Sequence, residues 1–294
     1  MALDSMQEIF DKCAAGNRSF WQVVQDTDVE ERQVSPEESW NKMRDTWRAM
    51  LDSTESYRGE RRSVSGLVGG DGRLMREYVQ EDSPISGAFM GEVIATALSV
   101  GESNACMRKI VAAPTAGSCG VLPAVLVPLY WHNVSEQEIV RALYVAAGIG
   151  AVIGYRASIS GAAGGCQAEI GSASAMAAGA LVSIRSGTPS QIGHAAAMAL
   201  KNLMGLICDP VAGLVEVPCV KRNVIGAVNA VSCADMALAG IESRVPVDQV
   251  IDCMGDVGER LPREFRETAL GGLAVTPFGK AVKEQMDRKS KGNQ

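Results

Sequence analysis

Three of the eight cysteines in this 294-residue chain stand beside glycine or proline, where a helix or strand is expected to break. Cys166 follows two glycines, Cys208 lies two residues before a proline, and Cys219 directly follows a proline. Three thiolates are one short of a closed four-thiolate iron–sulfur site, and an iron without a protein ligand can bind a substrate. The alternative is that these cysteines are small apolar packing residues. The residues alone support the two interpretations about equally.

The remaining cysteines are better explained as packing residues of a helical core. They are Cys13, Cys106, Cys119, Cys233 and Cys253. The chain has no Cys-x-x-Cys pair, which removes the main support for thioredoxin-like and zinc-ribbon sites. P-loop, His-Glu-x-x-His and Gly-x-Ser-x-Gly patterns are absent as well, so nucleotide-binding, zinc-protease and serine-hydrolase functions have no support.

A second candidate site is the segment Pro-Thr-Ala-Gly-Ser at residues 114–118. A turn containing Gly117 that opens onto a helix presents amide N–H groups to an anion, and Thr115 and Ser118 add hydroxyls. It is therefore a candidate for binding a substrate carboxylate. The alternative is an ordinary helix start capped by Ser118.

Several polar residues beside the three cysteines are candidate substrate contacts or supports for the ligands. They are Ser158, Ser160, Gln167, Glu169, Asp209 and Arg222. Glu169 is also explained as an acid in the first turn of a helix, where it complements the helix dipole. Of the two histidines, His132 is expected to be a capping or surface residue at a helix end. His194, fourteen residues before Cys208, is the better candidate for a catalytic base.

Composition excludes several classes of protein. With 28 Lys and Arg against 34 Asp and Glu, the net charge of −6 lacks the basic footprint of a nucleic-acid binder, so a small molecule or another protein is the expected partner. The N-terminus resembles neither a secretory signal nor a transit peptide, which predicts a cytoplasmic protein with reduced cysteines. The longest apolar stretch, residues 142–155, is shorter than the ~20 residues that cross a bilayer. No membrane span is predicted.

The expected fold class is mainly α, a compact multi-helix domain rich in small residues, because alternation of apolar and polar residues is scarce. A helix capped by Ser35, with Pro36 at its first position, is predicted in a helical N-terminal accessory region over residues 1–62. A glycine-rich loop or short hairpin is expected at 63–73. The catalytic domain is predicted over 63–280 and a C-terminal tail over 281–294. Further helices are predicted at 87–100, 119–131, 136–154, 168–185, 190–205, 222–240 and 247–254.

Four segments resemble the α subunit of the iron–sulfur-dependent bacterial L-serine dehydratases. They are APTAGSCGVLP at 113–123, SISGAAGGCQAEIG at 158–171, CDPVAGLVEVPC at 208–219 and GGLA at 271–274. The likeness covers roughly residues 60–280, and the intervals of 42 and 11 residues between the three cysteines agree with that family's cluster ligands. The resemblance implies a 4Fe–4S cluster held by Cys166, Cys208 and Cys219. It also implies a largely helical catalytic domain that converts L-serine to pyruvate and ammonia without pyridoxal phosphate.

The sequence departs from other members of this family in two respects, and the first bears on the partner. Single-chain relatives carry an additional N-terminal domain with a Ser-Ser-Ser-His-Thr motif, which this sequence lacks. The resemblance therefore implies the two-subunit form, in which a separate β chain completes the active site and supplies the base. Some relatives also end in a cysteine tail that reaches the cluster, whereas the last cysteine here is Cys253.

Dehydration of serine requires loss of the Cα proton and of the β-hydroxyl, and hydroxide does not leave unaided at neutral pH. A Lewis-acidic iron solves that problem. A pyridoxal-phosphate dehydratase would need a Schiff-base lysine and a phosphate-binding glycine-rich loop, and neither pattern is visible. Two further functions would use the same three cysteines: that of an L-cysteine desulfidase or related iron–sulfur hydro-lyase, and that of a non-catalytic iron–sulfur sensor. The absence of a DNA-binding motif disfavours the sensor.

Overall fold

The computed structural model describes residues 3–292, and that part of the chain is mainly α-helical, as predicted. The α-helices are α1 Met6–Gly16, α2 Phe20–Arg32, α3 Pro36–Glu55, α4 Asp71–Glu81, α5 Ala88–Ala105, α6 Val121–Trp131, α7 Glu136–Arg156, α8 Gly161–Gly164, α9 Ser172–Ile184, α10 Pro189–Leu203, α11 Cys219–Leu238, α12 Val247–Arg260 and α13 Pro277–Gly292. A π-helical turn covers Gln167–Gly171, and 3-10 turns cover Val211–Gly213, Arg263–Phe265 and Gly272–Val275. Within residues 3–292 the β structure is limited to one isolated parallel bridge, between Cys208 and Arg266.

Local sequence signals located most of these helices. All seven helices predicted between residues 87 and 254 are present, with the predicted 168–185 helix opening on the π-helical turn. The cap of α3 is also confirmed. Ser35 Oγ accepts a hydrogen bond from the Glu38 amide at 3.2 Å, the Glu38 carboxylate accepts one from the Ser35 amide at 2.9 Å, and Pro36 is the first helical residue.

Helix α4 is the main departure from the expected loop or hairpin at 63–73, since it begins at Asp71. Its first amides are capped from a distant position in the chain: the buried Glu102 carboxylate of α5 accepts hydrogen bonds from the amides of Gly70 at 3.1 Å and Asp71 at 2.8 Å. A carboxylate supplied from some thirty residues away leaves no local capping signal in the sequence.

The core is built around α9, which packs against α7, α10 and α11 and is buried from Ser172 to Val182. Its small residues allow this close approach. The continuous hydrophobic core also includes residues of α1, α2 and α3, among them the fully buried Trp47, which meets Tyr130 edge to face with ring centroids 5.4 Å apart. The predicted N-terminal region is therefore helical and shares one core with the rest of the chain. The domain boundary near residue 62 remains a prediction.

The approach of α7 to α9 depends on Gly179. A Cβ at this position would lie 2.2 Å from Ile149 Cδ1, whereas a Cβ at Gly154 of α7 would meet only Ile159 Cγ2, at 4.0 Å. We expect Gly179→Ala to lower the free energy of unfolding by about 1–3 kcal/mol through overpacking. Gly154→Ala should be neutral or stabilising, because alanine favours helix interiors by up to about 1 kcal/mol. Urea denaturation of both variants measures the difference, and equal midpoints would contradict this account of the contact.

Helix α7 is the one helix in the described part of the chain that is long and apolar enough to cross a membrane. Because 61% of its most apolar window is buried inside the protein, it has the character of a core helix. At the other end, the predicted tail at 281–294 is helical as far as Gly292, as part of α13. Residues 293 and 294 of that tail lie outside the described residues.

Candidate metal and substrate site

The structure brings Cys166 and Cys208 together with Glu169. The two sulfur atoms and a carboxylate oxygen all lie within 4.8 Å of one another, and both cysteines are buried. Cys166 directly precedes the π-helical turn and follows Gly165, whose φ of 73° favours glycine and where a Cβ would lie 2.8 Å from Leu261 Cδ1. The glycine pair noted in the sequence therefore allows the chain to turn into the site at Cys166.

Cys208 is fixed by long-range backbone pairing. Its amide donates to the Phe265 carbonyl at 2.9 Å, and its carbonyl accepts from the Glu267 amide at 3.1 Å. Gln167 connects this segment to Cys166: its own amide donates to Leu206 O at 2.9 Å, and its side-chain oxygen accepts from the Gly205 amide at 2.8 Å. Gln167 is 1% exposed, so it supports the cysteine segments from inside the protein.

Cys219 is the first residue of α11 and lies outside the 4.8 Å group, but its thiol is buried and interacts electrostatically with Cys166. Asn223, one turn later, joins this helix start to the 114–118 segment. Its side-chain amide donates to Cys219 O at 3.0 Å and to Gly117 O at 2.8 Å, and its oxygen accepts from the Gly120 amide at 2.8 Å. The sequence did not single out Asn223, because its partners lie up to 106 residues away.

Arg222 and Asp209 face the cysteines. The Arg222 guanidinium donates to Cys166 Sγ at 3.4 Å, to Ile207 O at 2.8 Å and to Asp209 Oδ1 at 2.8 Å. The other oxygen of Asp209 accepts from the Leu273 amide at 2.8 Å. Asp209 is 3% exposed, so this ion pair is largely removed from water. The arrangement places a fixed positive charge beside the Cys166 sulfur.

The three thiols differ in acidity. A hydrogen bond from the Cys208 thiol, and then the Arg222 guanidinium, lower the pKa of Cys166 below its ordinary value despite burial. The hydrogen bond to Cys166 and burial raise the pKa of Cys208, and burial raises the pKa of Cys219 to about 12. At Cys219, burial outweighs the lowering of thiol pKa that a helix N-terminus commonly produces. A cationic metal group would reverse that balance, because it stabilises thiolates.

The 114–118 segment lies against Glu169. Thr115 Oγ1 donates to Glu169 Oε1 at 2.7 Å, and the buried Ser118 hydroxyl lies 3.1 Å from Thr115 Oγ1. Helix α6 begins at Val121 without a side-chain cap, so the alternative interpretation of Ser118 as a helix cap is wrong. Ser118 instead orients the threonine that contacts Glu169.

The two serines before Cys166 occupy different surroundings. Ser158 Oγ accepts from the Ser160 amide at 3.1 Å and lines a cavity of about 490 Å³ whose walls include Arg156 and Glu259 and none of the three cysteines. Ser160 is exposed and directly precedes α8. Ser158 thus lies beside a cavity that the three cysteines do not line. Ser160 is accessible to solvent.

Neither histidine is hydrogen-bonded to the cysteine segments. His194 of α10 accepts from the Ser243 amide at 3.3 Å and pairs with Ser190 Oγ at 3.3 Å. His132 pairs with Glu92 at 2.8 Å on the surface. The structure thus gives no geometric support to His194 as the base.

The donor set fits a thiolate-bound iron–sulfur group. Cys166 and Cys208 lie close together, and Cys219 is a third buried cysteine at the start of α11. The partly buried Arg222 donates a hydrogen bond to Cys166 Sγ, as proteins commonly do around clusters. The carboxylate of Glu169 is the nearby group that a closed four-cysteine site would not have.

Comparisons with known proteins identify the family of this chain. The family described as "Serine dehydratase alpha chain" matches residues 15–274. Among curated proteins, the chain is 50% identical over 225 residues to a probable L-serine dehydratase alpha chain of Bacillus subtilis, covering 76% of this chain and 75% of that one. It is 54% identical over 199 residues to a counterpart of the same name from Latilactobacillus sakei, covering 67% and 95% of the two chains. With the L-serine dehydratase alpha chain of Peptoniphilus asaccharolyticus, the identity is 40% over 96% of this chain and 97% of the other. The chain belongs to the serine dehydratase alpha-chain family.

Proposed function

We propose that this chain is the α subunit of an L-serine dehydratase, a lyase that converts L-serine to pyruvate and ammonia, with a 4Fe–4S cluster held by Cys166, Cys208 and Cys219. The observation that carries the proposal is that the buried Cys166 and Cys208 lie within 4.8 Å of the Glu169 carboxylate. Arg222 donates to Cys166, and a third buried cysteine, Cys219, lies at the start of α11. The names of the relatives agree with the proposal.

When bound, a three-thiolate cluster supplies an iron with an open position, which acts as a Lewis acid on the substrate hydroxyl. The chain's own residues hold and surround that group. Cys166, Cys208 and Cys219 provide the thiolates, and Arg222 balances their negative charge. The turn at 114–118, tied to α11 by Asn223, provides backbone amides for the substrate carboxylate, while the Thr115 hydroxyl holds Glu169.

The reaction removes the Cα proton of serine and breaks the Cβ–O bond, so that the C–H electron pair becomes the C=C bond of aminoacrylate and water is released. Aminoacrylate then tautomerises and hydrolyses to pyruvate and ammonium. A base is needed for the first proton, and the hydrogen bonds of both histidines lie away from the cysteine segments. We therefore assign the base to a separate β chain, which completes the active site.

The test is pyruvate formation from L-serine by the anaerobically purified complex of this chain with its β chain, with iron and sulfide measured per α chain. We expect pyruvate to form, and we expect iron and sulfide per α chain in the ratio of a 4Fe–4S cluster. Turnover of L-cysteine in place of serine would identify a desulfidase. A complex with an intact cluster that released no pyruvate would favour a sensor.

We also expect air to inactivate the enzyme, because an iron without a thiolate ligand is the one most easily lost. The absorbance near 400 nm and the rate of pyruvate formation should decline together over hours of exposure. An anaerobic sample kept at the same temperature is the control. Full activity after hours in air would contradict the open-iron assignment.

A further inference from the structure

The partly buried carboxylate of Glu169 accepts fewer hydrogen bonds than the buried carboxylates of Glu216 and Glu102. The carboxylate of Glu216 accepts from the side chains of Ser63 and Ser65. Glu102 is more fully satisfied, accepting hydrogen bonds from the Tyr57 hydroxyl and the amides of Gly70, Asp71 and Gly72. Glu169 has one hydrogen bond within residues 3–292, from Thr115 to Oε1. A partly buried carboxylate with one protein donor has room for a further partner.

No lysine or arginine in the described range forms an ion pair with Glu169. Arg222 is bound to Asp209 and Cys166. Burial, and then the nearby carboxylate of Glu267, raise the pKa of Glu169 above its ordinary value. A cation would stabilise these two neighbouring carboxylates, which have no ion-pair partner among the described residues.

Two glycines lie against the Glu169 carboxylate, and a side chain at either position would crowd it. A Cβ at Gly117 would lie 3.0 Å from Glu169 Oε1, and a Cβ at Gly161 would lie 2.7 Å from Oε2. The two glycines come from separate segments, the 114–118 turn and α8. The π-helical turn that carries Glu169 is a local distortion often found at functional sites, and here it places the carboxylate within 4.8 Å of Cys166 and Cys208.

We infer that Glu169 binds the α-ammonium group of the substrate, so that this site selects a 2-amino acid over the corresponding 2-hydroxy acid. The inference rests on the proposed function. A substrate that presents its hydroxyl beside the cysteines and its carboxylate to the 114–118 turn would bring its ammonium group to the carboxylate between them. Thr115 keeps one Glu169 oxygen in place, and the other remains for the ammonium group.

The test compares L-serine with L-glycerate, which replaces the ammonium group by a hydroxyl and keeps the carboxylate and the β-hydroxyl. Anaerobic αβ complexes of wild type, Glu169→Gln and Glu169→Asp are titrated with each compound. Ligand binding is followed by stopped-flow measurement of the change in cluster absorption before turnover, and iron is measured in every preparation. Glu259→Gln, which neutralises an exposed carboxylate on α12, is the matched control.

For Glu169→Gln we expect full iron content and a dissociation constant for L-serine that rises about 10- to 100-fold, the range for a hydrogen bond to a charged group. The constant for L-glycerate should change by less than about threefold. Glu169→Asp should recover part of the serine affinity, and Glu259→Gln should match wild type.

Three results would overturn the inference. Loss of iron in Glu169→Gln would make Glu169 a ligand or a structural support. Equal weakening of serine and glycerate would place it away from the ammonium group. Unchanged binding of both with a lower turnover rate would make it a proton donor. Wild-type complex that binds serine and forms no pyruvate would count against the proposed function and leave the comparison of ligands intact.

Discussion

Replacing Cys166, Cys208 or Cys219 with alanine is expected to remove nearly all iron and sulfide from the anaerobically purified complex and to abolish pyruvate formation. Each variant leaves two thiolates where the proposed cluster needs three, and all three positions are buried, so water cannot readily replace the missing ligand. The measurement is iron and acid-labile sulfide per chain, together with turnover of L-serine.

Cys233→Ala is the matched control for these three variants. Cys233 is also fully buried, but it lies in the middle of α11, where its sulfur contacts Asn202 and Asn229. Its replacement should preserve the cluster and the activity, at a cost in stability of about 1 kcal/mol for a small cavity. If the three site variants kept wild-type iron and sulfide, the ligand assignment would be withdrawn.

The fold was predictable to the extent that its determinants are local. Ser35 and Pro36 cap α3 within four residues, and the small residues of α9 show that its neighbours approach closely. The start of α4 depends on Glu102, thirty-one residues beyond Asp71, so the sequence around residue 71 indicated a loop. Helix ends capped by side chains from elsewhere carry no signal in a local window.

At the site, too, local features were predictable from the sequence and long-range contacts were not. Glycine and proline beside Cys166, Cys208 and Cys219 marked the cysteines as unusual, since backbone breaks are visible in the sequence. Gln167 was identified as a support only because it adjoins Cys166, and the role of Asn223 was not visible, because it joins segments that only the tertiary structure brings together. Whether Glu169 serves the helix dipole or the site also depends on a distant partner, Thr115.

Of the side chains around the cysteines, Arg222 is expected to contribute most to stability. It pairs with Asp209, which is 3% exposed, and Arg222→Met would leave that carboxylate buried without its cation. Removing one partner of a buried ion pair costs about 3–5 kcal/mol, whereas replacing both partners costs much less. We therefore expect Arg222→Met to lower the free energy of unfolding by that amount, and Asp209→Asn combined with Arg222→Met to recover more than half of the loss.

Urea denaturation of the cluster-free chain, followed by tryptophan fluorescence, measures these differences. Arg244→Met is the control, because Arg244 pairs with Glu242 at 2.8 Å on the surface, where an ion pair contributes about 0–1 kcal/mol. If Arg222→Met shifted the midpoint no more than Arg244→Met, the Asp209 pair would not be the stabilising contact that its burial indicates.

The iron content of an anaerobic Arg222→Met preparation should also fall, since the Cys166 sulfur would lose its charged donor. If Arg222→Met lowered the free energy of unfolding and left the iron content at the wild-type level, Arg222 would stabilise the fold of the 208–222 segment without supporting the cluster.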